Sequence, residues 1–286
     1  MKAISFILIT FLTPMLVTSQ DDISSPRTAL KQKAIAIENL RKLSNDVYNE
    51  IKDYEIIMIG EMHGTNEPAK FAYGICQLIT NNEEQVILAL EIPGELLVDM
   101  NSPLSSDELK GSDFFQMENV DGRNGQAWFD LILESNNNSN IIAETIDNNI
   151  CSPRDSSMYL DVLRIKKKYP NTKIVTLTGN IHNWLKPFRN DMKLGGFLVN
   201  DGQYIQSNKI MSINHLYKEG TMMNNTGDGL KLQTIEGKDN LLNQTVNAKM
   251  YLSPQIFKRH NQYTHFLFTE KITHSKELKT GENKRS

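Results

Sequence analysis

The chain has 286 residues, with 31 Lys and Arg against 34 Asp and Glu and a formal net charge of -3. With no excess of positive charge it lacks the footprint of a polyanion-binding surface, which excludes nucleic acid as the main partner. The length suffices for one domain with a substantial core.

Lys2 followed by the apolar run Ala3 to Val17, then Val17-Thr18-Ser19 and the polar Gln20-Asp21-Asp22, predicts a secretory signal peptide over residues 1–19. The run is short for a membrane span and contains Pro14, which favours cleavage over anchoring. Residues 20–286 are then expected as a single secreted or periplasmic domain with its core at about 55–273. No later segment has the length and apolarity of an integral span, and no Cys follows the leader to carry a lipid. In an oxidising compartment Cys76 and Cys151 form one disulfide or remain two buried thiols. Asn137, Asn224 and Asn243 begin glycosylation sequons.

Ala29 to Ile51 has helical apolar spacing (Ile35, Ile37, Leu40, Leu43, Val47, Ile51) and predicts a leading helix. Glu55 to Gly60 reads as a buried strand, Asn66 to Thr80 as a helix capped by Asn66, and Gln85 to Ile92 as a second strand. Two weaker helical segments, Gly94 to Met100 and Ser106 to Gln116, precede a helix over Gln126 to Glu134. A strand at Asn140 to Thr145, an amphipathic helix at Arg154 to Tyr169 and a strand at Lys173 to Thr178 follow. This alternation predicts an α/β fold with a mainly parallel central sheet and flanking helices. Beyond it, Gly195 to Val199, Tyr204 to Ile213 and Thr264 to Thr273 read as extended segments joining the sheet. The polar Gly220 to Lys249 stretch reads as a long loop or flap.

Two strands end in the same device: Gly60-Glu61-Met62-His63 and Gly179-Asn180-Ile181-His182. Each delivers a His just past a strand end, the rim where ligands bind in open α/β sheets. A single His near a strand end is more often structural, but two in matching turns point to one site. Glu61, Glu91, Asp147, Arg154 and Asn180 lie at the same ends, with Asp121 and Arg123 in a connection before a helix. Such a set could hold a metal through imidazoles and carboxylates, or run acid/base chemistry without one. His215, His260, His265 and His274 lack this context, and no P-loop, dinucleotide fingerprint or serine-hydrolase elbow is present.

The ordered set Gly60-Glu61-Met62-His63-Gly64 with Glu67, Glu91-Ile92-Pro93, Asp121-Gly122-Arg123, Arg154-Asp155 with Met158, and Thr178-Gly179-Asn180-Ile181-His182 resembles the erythromycin esterase/ChaN-like/TIKI superfamily. The closing Phe266-Leu267-Phe268-Thr269 looks most like the ChaN-like bacterial members. The resemblance runs from about Glu55 to Thr273. It implies three chemistries: lactone hydrolysis by water activated with His and Glu, metal-dependent proteolysis through the two histidines and a Glu, and haem binding linked to iron uptake. Carried over by position, it implies Glu61, His63, Glu91 and His182 as catalytic, and Arg123, Arg154 and Asn180 as substrate-binding. If a divalent metal such as Mn or Zn is used, it falls to His63, His182 and Glu91. The expected function is an exported hydrolase acting on an ester or amide in a small molecule or peptide. The alternative is a haem- or iron-binding protein without turnover, with Tyr73, Tyr159 or a His as axial ligand. Missing here are the lipidation Cys of ChaN and the large helical cap of the esterases.

Overall fold

The computed structural model describes residues 25–278, apart from 84, 98–99, 101–102, 119–120, 226, 228, 238–241, 243–244 and 258–260. The predicted signal peptide, His260, Asn243 and the basic tail from Lys279 lie outside the described residues.

In chain order the elements are α1 (Pro26–Lys33), β1 (Ile35–Ala36), α2 (Asn45–Ile51), β2 (Ile56–Glu61), α3 (Glu67–Thr80) and β3 (Val86–Leu90). Then come α4 (Ser106–Gly111), α5 (Asp113–Gln116), α6 (Gln126–Asn136), β4 (Ile141–Thr145), α7 (Arg154–Lys168) and β5 (Lys173–Gly179). The chain continues through α8 (Leu194–Asn200), β6 (Ile210–Asn225), β7 (Leu230–Glu236), β8 (Met250–Pro254) and β9 (His265–Ile272). The strands form one nine-stranded sheet in the order β1-β8-β9-β6-β2-β5-β3-β4, with β7 on β6. The pairs β2–β5, β2–β6, β3–β5, β3–β4 and β6–β9 are parallel, while β1, β7 and β8 pair antiparallel. The expected mainly parallel α/β sheet with C-terminal strands joining it is thus the observed fold.

The central strands carry apolar residues toward both faces, so both faces are covered. On one face Ile57, Ile59, Leu88 and Val175 pack with Phe71, Ile75, Trp128 and Leu131 of α3 and α6. On the other, Ile56, Met58 and Ile87 pack with Met158, Val162 and Ile165 of α7 and Leu194 and Leu198 of α8. From β2 the chain crosses by α3 to β3 on one side. From β5, beside β2, it returns by α8 to β6 on the other. The rim above β2 and β5 is therefore the switch point of the sheet, where crossovers leave in opposite directions and open a crevice.

Four expectations are corrected. The leading helix is two short helices split by a strand: Ala34 is already extended, and Ile35 pairs with Leu252 on β8. The sheet edge there uses the β-branched residues that the helical spacing suggested were one face. Gly195 to Val199 lies in helix α8 rather than in a strand. A Cβ on Gly195 would stand 2.7 Å from the Asn183 carbonyl oxygen, so glycine permits the helix to approach the His182 turn. The supposed flap, Gly220 to Lys249, holds the end of β6 and all of β7 and stops just before β8. It is polar because β7 buries neither face. Cys76 is buried and Cys151 exposed, both as free thiols, so no disulfide joins them. Among the described residues no helix is long and apolar enough to cross a membrane.

Candidate active site

Strands β2 and β5 run in register to the rim, Gly60 beside Thr178 and Glu61 beside Gly179. His63 sits in the turn after β2, and His182 in a single 3-10 turn, Asn180–Asn183, after β5. The two imidazoles meet over Gly179. A Cβ placed there would lie 3.1 Å from His63 Nε2 and 3.5 Å from His182 Cδ2, so the missing side chain is what lets both rings reach one space.

Each imidazole is held by a carboxylate. His63 Nδ1 lies 2.6 Å from Glu61 Oε1, and His182 Nδ1 lies 2.7 Å from Asp155 Oδ1. An ionised carboxylate only accepts hydrogen bonds, so both Nδ1 atoms carry the proton and both Nε2 atoms keep a lone pair in the neutral ring. The carboxylates are fixed in turn. Glu61 is buried and its Oε2 accepts the Trp128 indole N–H at 3.0 Å. Asp155 Oδ1 also accepts the Leu194 amide at 2.9 Å, and its Oδ2 faces Lys193 Nζ at 3.5 Å. His63 Nε2 stands 3.8 Å from Asp121 Oδ2, and His182 Nε2 stands 3.6 Å from Glu91 Oε1.

Between them lies Glu91, wholly buried. Its Oε2 accepts the Gly179 amide at 2.7 Å, and its Oε1 faces Arg154 Nη2 at 2.7 Å and Arg123 Nη1 at 3.0 Å. Arg123 also donates to the Glu91 carbonyl and to Asp121 Oδ1, at 2.7 and 2.9 Å. Arg154 grips Asp147 through Nε and Nη2, at 2.8 and 2.5 Å.

The electrostatics follow from this packing. Burial disfavours the charge on His63, but the Glu61 hydrogen bond and the charges of Glu61, Glu91 and Asp121 outweigh it, so its pKa is raised. Burial also acts against the Glu91 charge, yet Arg123, the two histidines and Arg154 hold its pKa below the ordinary value. Asp155 is likewise lowered: desolvation is overcome by His182, the Leu194 amide and Lys193. With 22% of the His63 side chain and 17% of the His182 side chain exposed, both rings remain open to water.

The structure thus brings Glu61, His63, Glu91, His182, Arg123 and Arg154 into one cluster. Asn180 is differently used. Its amide oxygen accepts the His215 backbone N–H at 3.2 Å and fills the space beside Gly60, where β2 and β6 separate, so this oxygen serves the scaffold. His215 itself is buried, its pKa pushed down to about 3 by desolvation, and its Nε2 meets Thr269 Oγ1 at 2.9 Å, which makes it a neutral packing residue. Arg154 pairs with Asp147 and Glu91, while Asp155, next to it in the chain, holds His182. Trp128 belongs to the core, and its N–H also fixes Glu61. A buried Trp needs an acceptor for that N–H, and this was the available signal.

The donor set does not suit a metal held by His63, His182 and Glu91. Both oxygens of Glu91 already face N–H donors, two of them on guanidinium groups that repel a cation. Among the described residues no group of three His, Cys, Asp or Glu side chains is arranged to hold an ion. The tyrosines considered for haem are engaged elsewhere. Tyr73 accepts the Gln77 amide at 3.0 Å. Tyr159 donates to Asp201 at 2.7 Å, and burial and that carboxylate push its pKa up to about 12, away from the tyrosinate that iron needs.

The sequence matches no protein-family profile and no curated protein. In three dimensions the chain is similar to a protein from Bacillus cereus (TM-score 0.69, 11% identity, 89% of this chain and 98% of that one). It is also similar to a succinoglycan biosynthesis protein (TM-score 0.67, 9% identity, 88% and 98%). A third likeness is to an erythromycin esterase variant in its open conformation (TM-score 0.50, 10% identity, 82% and 96%). At these identities what is shared is the fold, and that fold is erythromycin esterase-like.

Proposed function

We propose that the chain is a hydrolase that adds water to an ester or amide at the His63/His182 cluster. The observation that carries this reading is the pair of carboxylate-held imidazoles, each keeping an Nε2 lone pair, over Gly179. His63, whose basicity Glu61 raises, takes a proton from water as its oxygen attacks the carbonyl carbon. Glu61 holds the ring and stabilises the imidazolium that forms. The carbonyl bond opens to an oxyanion, which the guanidinium groups of Arg123 and Arg154 stabilise. As the carbon–oxygen or carbon–nitrogen bond breaks, an imidazolium returns the proton to the departing alcohol or amine. His182, oriented by Asp155, serves this second transfer: its Nε2 lone pair receives the proton from the His63 imidazolium through the hydroxyl of the adduct in the space over Gly179, and the ring is neutral again once the proton has left. Glu91 keeps both cations in place. No step calls on a metal, because the residues present fit one poorly.

Two finer assignments belong to the same proposal. The closing strand, and no large helical cap among the described residues, favour ChaN-like members over macrolide esterases. The apolar run and small-residue site within residues 1–19, read as a secretory leader, support a working enzyme outside the cytoplasm.

The test is hydrolysis of p-nitrophenyl esters by purified protein. His63→Ala and His182→Ala are each expected to lower kcat/KM by about 10²–10⁴-fold while the thermal midpoint stays near that of the wild type. Retained hydrolysis in both variants, or a haemin Soret band in a protein that hydrolyses nothing, would replace this reading.

A further inference from the structure

A cavity of about 380 Å³ lies beside the cluster, lined in part by Phe115, Met117, Met223, Leu230, Lys276 and Leu278. None of the reacting side chains lines it, but its walls hang from the His63 turn. The Gly64 carbonyl, next to His63, accepts both the Met223 N–H at 3.1 Å and the Ser275 N–H at 2.8 Å. These bonds dock the β6–β7 hairpin and the segment after β9, two sides of the cavity. Gly122, between Asp121 and Arg123, forms part of a third. It has φ +92°, and a Cβ there would meet the Met223 oxygen at 2.2 Å and Gly64 Cα at 2.6 Å. Only glycine allows the two turns and the hairpin to close together here. The residues on either side of Gly122 face the reacting cluster, while Gly122 itself borders the cavity.

Size and chemistry describe the occupant. The volume falls at the lower end for small-ligand pockets. Aromatic, thioether and leucine side chains supply an apolar part, while Gln116, Asn124 and Ser275 make the rest of the wall polar. At the polar edge Glu118 and Glu277 outnumber Lys276, which disfavours an anion. Resting on the hydrolase reading above, we infer that this cavity receives the non-reacting part of the substrate, an uncharged group whose apolar portion, such as a medium-length acyl chain, lies on Phe115, Met223 and Leu230 beside the polar wall. The hairpin residues Met223 and Leu230 then act as specificity determinants.

The experiment compares p-nitrophenyl acetate with p-nitrophenyl decanoate on the wild type, Leu230→Trp and Leu230→Ala. The wild type is expected to prefer decanoate by about tenfold or more in kcat/KM, and Leu230→Trp to lose that preference through KM while acetate hydrolysis stays within about twofold. An unchanged decanoate preference in Leu230→Trp would overturn the inference, and Leu230→Ala with a wild-type thermal midpoint shows that the hairpin tolerates substitution. If the wild type hydrolyses neither ester, the hydrolase reading fails by itself. Binding of Nile red, an uncharged apolar dye, then judges the cavity. A Kd raised about fivefold or more in Leu230→Trp supports it, and equal affinity in the two proteins, or no binding, refutes it.

Discussion

The His63 and His182 turns look like copies, yet they are built differently. His63 takes its carboxylate from two residues away, on the strand that delivers it. His182 takes its carboxylate from Asp155, 27 residues earlier, at the start of a helix on the opposite face of the sheet. The first dyad is local and survives wherever β2 forms. The second exists only when α7, the β5 turn and the approach to α8 have packed, since Lys193 and Leu194 complete it. A repeated motif therefore need not mean repeated construction: the same imidazole geometry is reached once by chain proximity and once by tertiary packing.

Glu91 links the two halves, and its loss is expected to be the largest single effect. In Glu91→Gln the buried carboxylate that faces Arg123 and Arg154 becomes neutral, leaving Arg123 with a weakened countercharge in a buried site. Removing one partner of a buried ion pair costs about 3–5 kcal/mol, and urea denaturation measures it. Stability within about 0.5 kcal/mol of the wild type would show that water reaches and solvates these cations.

Glu61→Gln and Asp155→Asn test whether the turns are equal partners. Both are expected to lower kcat/KM by roughly 10²-fold or more, because an amide in place of the carboxylate no longer stabilises an imidazolium. Comparable losses support two working dyads. A loss confined to Glu61→Gln would make His182 a scaffold residue and leave proton return to His63.

The smallest effect concerns pH. A raised His63 pKa means the free base appears only above its ordinary value of 6.5, so kcat/KM rises with pH to an inflection above that value. Asp121 helps raise it, and Asp121→Asn is expected to move the inflection down by a few tenths of a unit. Stability runs the other way. The contribution of His63 is fully present below 6.5 and fades as pH rises through its higher folded pKa. The lowered pKa of Glu91 contributes stability above its ordinary value of 4.5 that is lost as pH falls through its folded value. An inflection that does not move in Asp121→Asn would assign the observed titration to another group.

Much of this was legible in the chain. Runs such as Ile56 to Ile59 and Ile174 to Leu177 are too apolar for anything but central strands buried on both faces, and α7 announces itself by its spacing and its stop at Pro170. The reading failed where local preference and tertiary use diverge. Ile35 and Ile37 suit a helix face by spacing, but β8 offers them a sheet edge. Gly195 and Gly196 are poor helix formers, kept in a helix by close contact with the His182 turn.

Sequence by itself determined the alternation of strands and helices, the mainly parallel sheet and the two Gly-x-x-His turns, because strand periodicity and short-range spacing are properties of neighbouring residues. Tertiary structure alone decided that both imidazoles share the space over Gly179, that Asp155 and Trp128 support them, and that Glu91 is saturated by arginines. Those contacts join residues tens of positions apart, and only the packing of helices on the two faces of the sheet brings them within hydrogen-bond reach.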